Sequence, residues 1–246
     1  MQIITLLTDF GTADGYVGEM KGVLLNAAPE VTIVDITHDV PAHDVELGRL
    51  TLARYWQRFP PGTVHVAIVD PGVGSSRAAL AVASEERFLV GPDNGLLSPA
   101  LLMAGARAVE LPVQPHASAT FHGRDVFAPA AAQLAQGTDL DTLGEPAMDP
   151  VIRRTPEPHR ALNGELVGEI IAVDRFGNAI TNLLGIRGGE IRLKGKAIPL
   201  KRTYAELEPG EAGAVVGSTG FIEIVVREGR AADTLALVRG MRISLF

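Results

Sequence analysis

The sequence predicts an α/β N-terminal domain with a largely parallel sheet, followed by a small all-β, barrel-like C-terminal domain. Three observations carry that reading. Apolar runs that end in Asp- or Asn-bearing loops alternate with amphipathic stretches through residues 1–135, the pattern of strands and covering helices in a parallel layer. Residues 149–165 contain three prolines and little periodicity, which breaks that pattern. Beyond them, short strand-like runs separated by Gly-rich turns carry no long helical pattern, as in small barrels.

The first run, residues 2–7, stops at Thr8-Asp9-Phe10-Gly11 and reads as a buried strand entering a polar loop. Residues 31–36 run into Thr37-His38-Asp39, 64–69 into Asp70-Pro71-Gly72, and 87–90 into Gly91-Pro92-Asp93-Asn94-Gly95. Helices are expected over 14–27, with Val17, Met20 and Leu24 on one stripe, and over 44–57, with Val45, Leu52 and Trp56. Ligands bind at the C-terminal ends of strands in such sheets, so the acids and amides there converge on one edge. The domains are drawn at 1–150 and 166–246 with a linker over 151–165. Strand-like runs in the second lie at 166–173, 190–193, 214–217, 221–226 and 234–245.

With 46% hydrophobic and 21% charged residues the chain can bury a core, which excludes a disordered protein. Its net charge of -7 is spread out and no Lys/Arg cluster forms, so nucleic acid is not an expected partner. The absence of cysteine removes disulfides and thiolate metal sites. The N-terminal apolar run is short, lacks a basic flank and is interrupted by Asp9. Neither a secretory signal nor a membrane span is expected, and the cytoplasm is the expected compartment.

Several loops carry groups suited to chemistry, each with a plainer reading beside it. Asp9 and Asp14 at the mouth of the first strand suit a vicinal diol such as ribose, but an Asp before a helix is more often an N-cap. In Asp70-Pro71-Gly72-Val73-Gly74-Ser75-Ser76-Arg77 a proline and two glycines turn an acid and a guanidinium toward one place. A surface ion pair on a plain turn is the alternative. In Phe121-His122-Gly123-Arg124-Asp125 a histidine stands just before an apolar helix at 130–134. His65, His116 and His159 read as structural, whereas His38, His43 and His122 stay open. A metal site from His38, Asp39, His43 and Asp44 lacks the HExxH or Cys-His spacing that marks one. Asp174-Arg175-Phe176-Gly177-Asn178 offers an aromatic face and an amide, groups that stack on a purine and read its edge.

Taken in order, TDFGTADGYVGEMKG, VDITHDVPAHDVELG, VDPGVGSSR, GPDNGLL, FHGRDVFAP, DRFGNAITN and GSTGFIEI resemble the S-adenosylmethionine (SAM) hydrolase family, also called SAM hydroxide adenosyltransferases. The resemblance runs from residue 4 to about 232. It implies hydrolysis of SAM to adenosine and L-methionine, with SAM as substrate, no cofactor and no metal. It also implies a homotrimer whose sites lie between one subunit's N-terminal domain and a neighbour's C-terminal domain. Position by position, it places a catalytic triad on Asp70, Arg77 and His122, the ribose hydroxyls on Asp9, and the adenine edge on Asn178 with Phe176 nearby. Asp174 and Ser218 match contacts to the methionine amino and carboxylate groups.

Related SAM-dependent halogenases differ at identifiable places. They carry an Arg after the serine where this chain has Thr219, and the fluorinase has a bulky Tyr at the position of Asp70 and a long insertion where only Ala78–Val90 stands here. Both of the latter favour water over halide as nucleophile. Arg77 is assigned to orientation and charge balance, while Asp70 and His122 both stand as acceptors of the water's protons, His122 being favoured as base if neutral. A halogenase, or a non-catalytic SAM or adenosine sensor, is the alternative function.

Overall fold

The computed structural model describes residues 2–185 and 190–246. The chain divides into two compact units, one ending at Arg154 and the other beginning at Thr155.

The first unit is built on a seven-stranded sheet. Its strands are β1 (Ile3–Thr8), β2 (Thr32–Thr37), β3 (Val64–Ile68), β4 (Ala79–Ser84), β5 (Arg87–Pro92), β6 (Arg107–Glu110) and β7 (Glu145–Pro146), in the order β2-β1-β3-β5-β4-β6-β7. The first four in that order run parallel, and the β4, β6 and β7 pairings are antiparallel. The sheet is therefore mixed, parallel on the side where the Asp-bearing loops emerge. The sequence reading has no counterpart for β4 or β6. The chain passes from β3 to β5 through a β4–β5 hairpin, where strand-helix alternation alone would suggest a helical crossover.

Helices α1 (Tyr16–Ala27), α2 (Val45–Tyr55), α3 (Ser98–Leu101) and α4 (Ala128–Ala135) cover both faces. Side chains alternate across a strand, and the two cores divide accordingly. Ile4, Leu6, Val66, Ile68, Ala79 and Ala81 pack with Met20 and Leu24 of α1 and Ala131 and Leu134 of α4. Leu7, Ala67, Val69, Leu80 and Val82 pack with Val45 and Leu52 of α2, Trp56, Leu96 and Ala100. Asp44 caps α2 by accepting the Leu47 N–H at 2.9 Å. By contrast α1 begins without a side-chain cap, so the capping reading of Asp9 and Asp14 does not hold.

In the second unit, β9 (Leu166–Val173), β10 (Ala179–Leu184), β11 (Glu190–Leu193), β12 (Lys196–Lys201), β13 (Ala212–Val216), β14 (Phe221–Val226) and β15 (Arg242–Leu245) form a closed barrel. Closure comes from β9, which pairs with both β15 and β10, while the short β8 (His159–Arg160) extends its free side. Closing the sheet removes the exposed edges that an open one would present. Ile170, Leu183, Ile191, Ile222, Ile224 and Ile243 fill the interior. The strand-like run at 234–245 is only partly a strand: α5 (Ala231–Thr234) and a loop precede β15. Among the described residues no helix is long and apolar enough to cross a membrane.

Candidate active site

β1, β3 and β5 are parallel neighbours, with Thr8 of β1 in register with Ile68 of β3. Their last residues therefore deliver Asp9 and Asp70 to the same edge of the sheet. Asp70 opens a loop closed by Val73 N–H to the Asp70 carbonyl at 3.3 Å and by Ser75 N–H to the Gly72 carbonyl at 3.1 Å. Gly74 has a φ of +76°, and a Cβ there would lie 2.4 Å from the Ala119 carbonyl oxygen. Only glycine lets this loop press against the segment leading to His122.

Arg77 is the hub. Its Nε donates to Asp70 Oδ1 at 3.0 Å, its Nη2 bonds Asp70 Oδ2, and the same Nη2 lies 2.9 Å from His122 Nδ1. The Phe127 ring lies 5.3 Å from the guanidinium carbon, a cation–π contact, and Nη1 reaches the Ala78 carbonyl at 3.3 Å. The Asp70 and Arg77 side chains are 5% and 9% exposed. The surface ion pair considered for this loop is thus a buried, bidentate one. A pair of this kind is costly to break, because the partner left behind keeps an uncompensated charge at about 3–5 kcal/mol.

His122 precedes a single π-helical turn, Gly123–Phe127, which runs into α4. Such turns often occur at functional sites. Burial and the Arg77 charge push the His122 pKa below its usual value, with Asp70 and Asp125 opposing. The ring is therefore neutral near pH 7. A guanidinium can only donate, so Nδ1 must offer its lone pair and the proton sits on Nε2. The cluster then presents one neutral N–H donor beside a carboxylate acceptor.

Asp9 accepts the His43 N–H at Oδ2, 2.8 Å away, which leaves Oδ1 to accept from a ligand. Among the described residues no group of three or more His, Cys, Asp or Glu is placed to hold a metal ion.

In the second unit, Asp174 holds Asn178 twice, Oδ1 accepting its backbone N–H at 2.8 Å and Oδ2 its side-chain Nδ2 at 3.0 Å. The turn between them needs Gly177, whose φ is +84° and where a Cβ would lie 2.6 Å from that of Arg230. The locked Asn178 amide keeps its oxygen and one N–H for a ligand. Phe176 is 75% exposed, and Phe176, Asn178, Tyr204, Arg227 and Arg230 line a concavity of about 630 Å³. Ser218 lies exposed on the β13–β14 turn, outside that concavity.

Phe127, Tyr204 and Glu223 have no assigned role in the sequence reading. Glu223 is buried, and Tyr204 donates its hydroxyl to Glu223 Oε2 at 3.2 Å. Phe127 could have been suspected from its place five residues after His122. Nothing in the local sequence marks Tyr204 or Glu223.

Two family models match this chain: the SAM hydroxide adenosyltransferase N-terminal domain over residues 4–144 and its C-terminal domain over 168–244. An (R)-S-adenosyl-L-methionine hydrolase of Thermus thermophilus is 39% identical, covering 100% of both chains. One from Salinispora tropica is 42% identical over 98% of this chain and 96% of its own length. A fluorinase of Nocardia brasiliensis is 29% identical over 99% of this chain and 96% of its own. Among solved structures, an uncharacterized conserved protein from Thermotoga maritima superposes with a TM-score of 0.88 at 32% identity, covering 98% of this chain and 99% of that one. Matched in both units and along its full length, the chain belongs to the SAM hydroxide adenosyltransferase family.

Proposed function

We propose that this protein is an enzyme that hydrolyses SAM, adding water at the ribose C5′ to give adenosine and L-methionine. The buried Asp70–Arg77–His122 cluster, with its neutral His122, is the observation that carries the reading. The names of the relatives that are 39% and 42% identical support it.

In this mechanism the water oxygen forms a bond to C5′ as the C5′–S bond breaks. The bonding pair returns to sulfur, which turns the sulfonium into a neutral thioether, so no acid is required for the leaving group. The attacking water loses a proton to the Asp70 carboxylate. His122 donates its Nε2–H to the same water and aims it. The expectation that a neutral His122 is the base is thereby revised, since its Nδ1 lone pair is engaged by Arg77. Arg77 holds both partners and balances the Asp70 charge. Aligning water, C5′ and sulfur is a positioning effect that contributes roughly 7–11 kcal/mol in favourable systems.

Asp9 holds the ribose hydroxyls, Asn178 reads the adenine edge beside Phe176, and Asp174 and Ser218 meet the methionine amino and carboxylate groups. No cofactor enters the reaction. The same reading makes the active form a homotrimer with sites at subunit interfaces, supported by the division of these residues between two units. Sedimentation at three times 26.0 kDa tests that. The same reading has the enzyme act in the cytoplasm.

A halogenase is the competing enzyme reading, and the Asp70 carboxylate disfavours it because an anion would repel halide. A sensor without turnover has little use for a buried ion pair aimed at a histidine. Reaction of SAM in oxygen-18 water decides among them. Adenosine labelled at the 5′-oxygen, with no 5′-chloroadenosine when chloride is present, is the expected product; unlabelled or halogenated product would refute the proposal.

A further inference from the structure

The loop that carries Asp9 is tied to the loop after β2 at three points. Thr8 Oγ1 lies 2.8 Å from His38 Nδ1. Gly11 N–H donates to the His38 carbonyl at 2.8 Å, and His43 N–H to Asp9 Oδ2 at the same distance. Both side chains of the first contact are deeply buried, Thr8 at 0% exposure and His38 at 6%. Burying two polar groups is costly unless they bond each other, and here the bond sits one residue before Asp9.

Phe10 N–H donates to Thr8 Oγ1 at 3.2 Å, so the hydroxyl is held both by that amide and by His38 Nδ1. His38 Nε2 lies 3.2 Å from Asp35 Oδ1, off the line of a good hydrogen bond. Asp35 is in turn held by Lys21 Nζ at 2.6 Å. A chain of polar contacts thus runs from Lys21 on α1, through β2, to the residue that precedes Asp9.

We infer that His38 is a positioning residue for substrate: through the Thr8 hydroxyl and its own carbonyl it fixes the 8–11 loop so that Asp9 meets a vicinal diol. This rests on the assignment of Asp9 to the ribose hydroxyls. A carboxylate accepts two neighbouring hydroxyls only when its plane is set, and a loop free to shift would lose one of them. His38 itself touches no substrate. A merely structural role would weaken the fold, and all ligands alike; a positioning role acts selectively on ligands that carry the diol.

Calorimetry on the full-length protein with adenosine and 2′,3′-dideoxyadenosine separates the two. Wild type should prefer adenosine, and Asp9→Ala should abolish that preference. His38→Leu and Thr8→Val should each shrink the preference about fivefold, the range for one lost hydrogen bond, while dideoxyadenosine affinity holds. His38→Asn, whose amide can replace Nδ1 as the partner of the Thr8 hydroxyl, should restore it. The His38→Leu/Asp9→Ala double variant should lose no more than Asp9→Ala alone. Should His38→Leu fold poorly, Thr8→Val decides, since it keeps the shape and removes only the hydroxyl. An undiminished preference in Thr8→Val, or equal weakening toward both nucleosides, overturns the inference while leaving the Asp9 assignment intact. No preference in wild type overturns the Asp9 assignment, and this inference with it.

Discussion

Nη2 of Arg77 approaches Nδ1 of His122 to 2.9 Å, and that contact fixes which nitrogen of the histidine can face a ligand. Because arginine cannot accept a hydrogen bond, Nδ1 is spent and Nε2 carries the hydrogen. The Asp70 carboxylate, gripped by the same guanidinium, keeps lone pairs for a proton. The sequence reading favours His122 as base if neutral; with Nδ1 turned to Arg77, the proposed mechanism instead gives His122 the donor role and Asp70 the acceptor role.

Kinetics of matched amide variants test that division. Asp70→Asn should lower kcat by roughly 10²-fold or more, the scale for losing a general base, with SAM affinity little changed. His122→Gln, which can present an N–H near the Nε2 position, should retain more turnover than His122→Asn, whose shorter amide cannot reach. Equal losses in the two histidine variants would point back to His122 as the base.

The pH profile follows from the same geometry. Burial and Arg77 hold the His122 pKa below its usual value, so the neutral ring persists to lower pH than in an unperturbed histidine. A plot of kcat against pH should show no inflection near 6.5 attributable to this residue. An inflection there that disappears in His122→Gln would contradict the neutral tautomer.

Asn178→Ala should reverse the kinetic pattern of Asp70. It frees Asp174 from its clamp and, in the proposed reading, removes adenine contacts, so SAM binding should weaken by about 1–3 kcal/mol, with kcat at saturation less affected. Titration calorimetry beside steady-state rates reads both.

Gly74→Ala probes the loop itself. With φ at +76° and the Ala119 carbonyl in the way, the variant should lose about 1–3 kcal/mol of stability or shift the loop to avoid it. Either route moves Asp70 and Arg77 relative to His122. Turnover should fall although no catalytic group has been altered, and a variant with wild-type melting temperature and kcat would show that the close approach is unimportant.

Acid stability should depend on His65. It is fully buried on β3 against Thr5, Tyr55 and Trp56, with Thr5 Oγ1 2.8 Å from Nδ1, and burial, followed by the Arg87 charge, lowers its pKa to about 3. The unfolded chain binds this proton below about 6.5, whereas the folded protein resists it until about 3. Stability is therefore lost as pH falls through that window, at about 1.4 kcal/mol per unit. In His65→Asn, denaturant melts at pH 7 and pH 4.5 should differ less than in wild type.

Much of the fold could be read from local pattern. The stripe Val17, Met20, Leu24 foretold α1, and the packing of Val66 and Ala67 into opposite cores follows from the two-residue period of a strand. The hairpin that replaces a crossover was not legible. Residues 87–90 read as a strand but 79–84 do not, and the pairing of the two depends on a register with β3 and β6 that no short window contains.

By itself, the sequence determined which chemical groups stand after which strands, because turn residues and hydrophobic periodicity act over a few positions. It placed Asp9, Asp70 and His122 in loops and ordered the motifs that identify the family. Only the tertiary structure decided what those groups are. Asp70 and Arg77 form a buried pair rather than a surface one, Asp9 is a loop acceptor rather than a helix cap, and a contact spanning 45 positions sets the tautomer of His122. Charge state and proton position depend on burial and on partners brought from distant segments, so they exist only once the sheet has aligned its strand ends.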